Sequence, residues 1–148
     1  MTEQNPLPYE TTLEVRDACL CLHVQRAARA LARRFDEALR PLGLTSGQYS
    51  LMMSLNRPAP PSMRQVSEVL AMDRTTLTAA LKPLERRGLV SVEVDPQDRR
   101  SRRPSLTPAG RDLLARAVPV WRRTHAEIER QVAGGDADRL RADLVALS

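Results

Sequence analysis

Residues 62–106 read SMRQVSEVLAMDRTTLTAALKPLERRGLVSVEVDPQDRRSRRPSL, and this stretch decides the fold. Ser62-Met63-Arg64-Gln65 has the spacing of a capping box, in which a hydroxyl and an amide satisfy backbone N–H groups at a helix start. The short helix it opens turns Val66, Val69 and Leu70 inward. Asp73 caps the next helix, over about Arg74–Arg87, and Gly88 stops it. Only Ala71-Met72-Asp73 separates the two helices, which is helix-turn-helix spacing. Leu89–Val94 is β-branched and reads as a strand, Asp95-Pro96-Gln97-Asp98 is turn chemistry, and Arg102–Leu106 returns as a second strand that Pro104 confines to an edge. A hairpin after such a helix pair is a wing.

Outward from this stretch the chain is helical. Thr45-Ser46-Gly47-Gln48 repeats the capping-box form and starts a helix through Leu51, Met52 and Leu55. Residues 1–10, with Pro6 and Pro8, read as a loose arm. One long helix is expected from about Leu13 to Leu42, striped by Leu20, Val24, Ala27, Leu31, Phe35 and Ala38 and closed by Pro41 and Gly43. Thr107-Pro108 opens another, stepping through Leu114, Ala117, Trp121, His125, Ile128 and Val132, with a kink expected at Pro119. Gly134-Gly135 ends it, and Asp136 caps a last helix with Leu140, Leu144 and Leu147 inward. The expected fold is mainly α with a small β wing: a winged helix-turn-helix over residues 45–107, flanked by helical dimerisation regions 11–44 and 108–148 within one domain, 1–148.

The charge is unevenly placed. The 148 residues carry a net +5, and 22 of the 23 basic residues are arginine. Residues 74–111 hold nine basic and four acidic residues, which is the whole surplus; the rest of the chain is neutral. A basic segment on a neutral scaffold is the footprint of a polyanion binder. On the helix after Asp73, Leu77, Ala80, Leu81 and Leu84 face inward, leaving Thr75, Thr78, Ala79, Lys82 and Arg86 outward with Arg74 at the N-terminal end. Short polar groups that approach base edges beside long cations are what a recognition helix needs. Arg99, Arg100, Arg102 and Arg103 crowd the wing, where arginines suit a narrow minor groove, and Asp98 beside them reads as an orienting partner.

Several motifs together resemble the MarR-type winged helix-turn-helix transcriptional regulators. They are Leu42-Gly43-Leu44-Thr45 with Gln48-Tyr49, Met72–Thr78 with Leu84–Val90, Asp95-Pro96-x-Asp98-Arg99-Arg100, and Leu106-Thr107-Pro108-x-Gly110-Arg111. The resemblance covers about residues 13–147. It implies a homodimer with interlocked terminal helices that binds a near-palindromic double-stranded operator, usually to repress. Ser62, Arg64, Arg74, Thr75, Thr78, Lys82, Arg86, Asp98, Arg99, Arg100 and Arg102 are the expected DNA-binding residues, with Arg100 as the wing arginine and Asp98 its partner. A cytoplasmic location follows, with no membrane partner.

The family also implies an effector. A small-molecule pocket between dimer core and reading heads is expected, and by position His23, Arg26, Tyr49 and Met53 are candidate liners; an arginine and a tyrosine hydroxyl suit an acidic aromatic ligand. An alternative is thiol-based redox sensing. Cys21 falls where the organic-hydroperoxide-sensing branch carries its reactive cysteine, yet that branch's tyrosines fall on Gln25, Phe35 and Ser46 here. Cys19 and Cys21, two apart on a helix, would face nearly opposite sides, and the plain reading of each is a small buried hydrophobe. A protein-binding winged helix is a further alternative, which the charge density of the wing disfavours.

Composition excludes other classes. The chain is too apolar, at 42%, to be disordered, and it has no run long enough to span a membrane. The N-terminus lacks a basic start and an apolar stretch, so no secretory signal is read there. No phosphate loop, metal-spaced ligand set or Ser/His/Asp constellation supports an enzyme, and no cofactor is called for.

Overall fold

The computed structural model describes residues 6–148. Helix α1 (Tyr9–Ala18) and helix α2 (Leu20–Leu39) occupy the span expected as one long helix. The break is Cys19, whose backbone is extended (φ −69°, ψ 109°) and whose sulfur accepts from Leu22 N at 3.5 Å, so it caps α2. Helix already begins at Tyr9, which shortens the expected arm; its residues 1–5 lie outside the described residues. A 3-10 turn over Arg40–Leu42 ends at Gly43, whose φ of 68° favours glycine.

The reading head follows. Helices α3 (Ser46–Ser54) and α4 (Met63–Leu70) both start on complete capping boxes, Thr45 with Gln48 and Ser62 with Gln65. Ala71 closes α4 at φ 51°, a left-handed conformation rare outside glycine that tightens the turn. Helix α5 (Arg74–Arg86) starts on Asp73, which accepts from Thr76 N and Thr76 Oγ1, both at 2.8 Å. It ends with Gly88 N donating to Glu85 O and Leu89 N to Leu84 O, each at 3.0 Å, the paired closure that a left-handed glycine allows.

Strands β1 (Val90–Val94) and β2 (Arg102–Leu106) pair antiparallel, with Val90 opposite Leu106 and Val92 opposite Pro104. Helix α6 (Pro108–Glu129) is capped by Thr107 and runs through Pro119 without interruption; it stops before Val132, short of the expected end. A 3-10 turn over Ala133–Gly135 leads to α7 (Ala137–Ala146).

The core joins the reading head to the base of α6. Leu39, Leu51, Met52, Val66, Leu77 and Leu84 are fully buried there, with Leu106, Leu114 and Ala117 closing it. The scaffold helices are different. Leu140, Leu144 and Leu147 are expected inward, but they are exposed at 44%, 42% and 65%, because no element among the described residues covers them. Leu20, Val24 and Leu31 on α2 are likewise exposed.

Candidate nucleic-acid interface

Helix α5 buries Leu77, Leu81 and Leu84 and leaves Arg74, Thr75, Thr78, Lys82 and Arg86 exposed. The alternation follows from helical spacing, since residues three and four apart share a face. The Thr78 hydroxyl donates to Arg74 O at 2.8 Å, so the side chain presents a methyl and a lone pair outward. That suits a thymine methyl or a base amino group. Ser62 is committed at the start of α4, accepting from Gln65 N at 3.2 Å, and Arg64 pairs with Glu68 at 3.0 Å on the exposed side of the same helix.

The wing is built on two aspartates. Asp95, nearly buried, accepts from Gln97 N at 2.9 Å and faces Arg103 Nε at 2.9 Å, while its own N–H donates to Ser101 O at 3.0 Å. The Gln97 N–H, then the Arg103 guanidinium, hold its carboxyl below the ordinary value of 3.8. Asp98 Oδ1 accepts from the backbone N–H of Arg100 at 3.0 Å. It therefore shapes the turn that carries Arg100, where the sequence suggested a partner for the guanidinium. Arg102 Nη1 reaches back to the carbonyls of Arg99 and Ser101. Arg99 and Arg100 are exposed at the tip.

The candidate effector residues fall into two places. Tyr49 and Met53 on α3 line a hollow of about 690 Å³ with Val69, Val118, Trp121 and Arg122. Tyr49 and Trp121 stack with centroids 6.4 Å apart, and Trp121 stacks on His125 at 4.7 Å. Burial raises the Tyr49 hydroxyl above its ordinary value, against the opposing field of Arg122. His23 and Arg26 line a separate hollow along α2 with Arg29 and Arg33. His23 Nδ1 lies 2.7 Å from Cys19 O, which places its proton on that nitrogen. The sequence places Trp121 only in the α6 stripe and assigns Arg122 no role; the aromatic bulk of Trp121 on that stripe is the signal that could have marked the hollow. Cys21 is exposed in this chain, not a buried hydrophobe, and its sulfur accepts from Gln25 Nε2 at 3.1 Å. The break at Cys19 also removes the continuous helix from which opposite orientations were inferred.

A capped helix pair, an exposed recognition face and an arginine-tipped hairpin define a winged helix-turn-helix protein. The MarR family profile matches residues 44–101. The Mycobacterium tuberculosis transcriptional regulator MosR, solved in complex with DNA, is 39% identical over 87% of this chain and 92% of that one, with a TM-score of 0.80. The transcriptional repressor CouR, bound to a 23-mer DNA duplex, is 28% identical over 90% and 94%, with a TM-score of 0.75. A probable transcriptional regulator from Pseudomonas aeruginosa is 26% identical over 89% and 98%, with a TM-score of 0.79. The chain belongs to the MarR family of DNA-binding transcriptional regulators. Among the described residues no helix is long and apolar enough to cross a membrane.

Proposed function

We propose that the chain acts as a homodimeric repressor on a near-palindromic operator in the cytoplasm. Arg74, Thr75, Thr78, Lys82 and Arg86 enter the major groove; Arg99, Arg100 and Arg102 follow the minor groove. Asp98 shapes the wing turn, while Ser62 and Arg64 approach phosphate from the start of α4. The observation that carries this reading is the exposed, largely unpaired basic face of α5 and the wing tip beside an apolar, uncovered scaffold. DNA complexes of MosR and of CouR support it. Residues 11–44 and 108–148 supply the dimer contact: exposed Leu20, Val24 and Leu31 on one side, and Leu140 and Leu144 on the other. Between them runs a groove of about 650 Å³ walled by Ala27, Ala30, Leu31, Ile128, Val132 and Leu140. Enrichment of bound duplexes from a random pool, with light scattering on the free protein, tests the reading. A monomer that enriches no duplex would refute it.

The effector is an acidic aromatic molecule seated between Tyr49, Met53 and Trp121, its carboxylate toward Arg122. His23 and Arg26 remain candidate liners from the α2 hollow. Quenching of the single tryptophan by a panel of aromatic acids tests this; no response from any member would remove the pocket. Redox sensing through Cys21 is a second reading, favoured by the exposure of its sulfur and the Gln25 contact. A Cys21→Ser chain whose operator release by peroxide matches the wild type would end it.

A further inference from the structure

The recognition helix touches the scaffold through a polar contact that the DNA-reading residues do not use. Arg87 caps the C-terminal end of α5, and its Nη1 donates to Gly43 O at 2.8 Å, across 44 residues of sequence. Gly43 is the left-handed residue that ends the turn after α2, where Gly43 N also donates to Arg40 O at 2.9 Å. The fit is close: a Cβ on Gly43 would stand 3.1 Å from Arg87 Nη2. Three residues on, Ser46 N donates to Asp36 Oδ1 at 2.6 Å, fastening the start of α3 to α2. The joint between scaffold and reading head is thus held on two sides, by Asp36 from the scaffold and by Arg87 from the recognition helix.

We infer that Arg87 is a positioning residue that sets the angle of the recognition helix on the dimer scaffold, and so the half-site spacing the dimer accepts. The inference rests on the dimeric reading above. In a two-fold dimer a change of angle at this joint moves both recognition helices, and the separation between them doubles the error. Half-site spacing is a geometric property of that separation. Arg87 supplies the constraint through Nη1, which is held at Gly43 O, and on this inference it does so without touching DNA. A charge-counting view assigns it to phosphate instead, and the two assignments predict different salt behaviour.

The test compares wild type, Arg87→Met and Arg87→Lys on the duplex that the wild-type chain enriches from a random pool, and on the same duplex with one base pair inserted between half-sites. Arg87→Met should lose about fivefold of the discrimination between the two duplexes, the equivalent of one hydrogen bond. Its log affinity against log salt should keep the wild-type slope, and Arg87→Lys should restore part of the discrimination. Spin labels on Glu85→Cys, in a Cys19→Ser/Cys21→Ser background, should show a broader inter-protomer distance distribution with Arg87→Met in the absence of DNA. A salt slope reduced by about two, one contact from each protomer, would make Arg87 a phosphate contact and overturn the inference. Unchanged discrimination and an unchanged distance distribution in a wild-type-like dimer would overturn it alone. A monomeric wild-type chain that enriches no duplex would overturn the dimeric reading and this inference with it.

Discussion

Gly110 sits in the first turn of α6, where the scaffold meets the base of the wing, and replacing it with alanine tests that seam directly. A Cβ there would lie 2.1 Å from Leu89 O and 3.0 Å from Leu89 C. Ordinary contact requires more than 3 Å, so one of two backbones must move by about an ångström. Neither is free to do so. Leu89 O accepts from Thr107 N at 3.1 Å, Leu89 N donates to Leu84 O at 3.0 Å, and Thr107 Oγ1 donates to Gly88 O at 2.6 Å. Overpacking costs about 1–3 kcal/mol, and a strained hydrogen bond adds about 1 kcal/mol. The better helix propensity of alanine offsets up to about 1 kcal/mol. With the full offset the net loss is about 1–3 kcal/mol, or a fall in Tm of roughly 3–10 °C for a chain of this length. Thermal unfolding followed by circular dichroism measures it. Gly47→Ala is the control: it lies in α3 with its nearest neighbour, Thr45 Oγ1, 4.0 Å away, and should melt at or slightly above wild type. A Gly110→Ala chain melting within about 1 °C of wild type, beside a well-behaved Gly47→Ala, would refute the packing argument.

Other consequences can be checked separately. Arg100→Ala should weaken operator binding several-fold in a gel shift, with the salt slope reduced by about two (one contact per protomer) and the dimer intact. Ser62→Ala removes the hydroxyl that accepts from Gln65 N, and should cost about 1 kcal/mol in denaturant unfolding. The Asp95 carboxyl is held low by Gln97 N–H and by Arg103, so its folded value lies below its unfolded one. The wing contact is therefore complete above the unfolded value and is lost as pH falls through the folded one. An NMR titration of the Gln97 amide should show its midpoint below 3.8, and Asp95→Asn should abolish the step.

Much of the fold was legible because its signals are local. Capping boxes at Thr45 and Ser62, the Asp73 cap and the Gly88 stop each act within five residues, so their spacing in sequence is their geometry. The break at Cys19 was not legible: Ala18-Cys19-Leu20 carries neither glycine nor proline to mark it. Long-range placement was also hidden. Nothing in the spacing of His23, Arg26, Tyr49 and Met53 tells which hollow each lines, since that depends on how α3 and α6 pack. Leu140 and Leu144 obeyed the helical period, but periodicity identifies an apolar face without saying whether the same chain covers it.

The arginines show the same limit, with a measurable consequence. Residues 74–111 contain nine basic residues, and a dimer presenting all eighteen to phosphate would have a log–log salt slope of about −16. The structure distributes them otherwise. Arg103 is neutralised by Asp95, Arg87 is turned to Gly43, and Arg111 lies on α6, outside α5 and the wing. Arg74, Lys82, Arg86, Arg99, Arg100 and Arg102 remain, and among the described residues none of them faces a carboxylate within ion-pair distance. Arg64, outside the segment, already shares its charge with Glu68. Twelve such cations per dimer limit the slope to about −11. Fluorescence anisotropy on an enriched duplex across a salt series reads it directly. A slope of about −14 would mean that Arg87 and Arg103 leave their partners when DNA binds, and that the wing and the joint are remade on the operator.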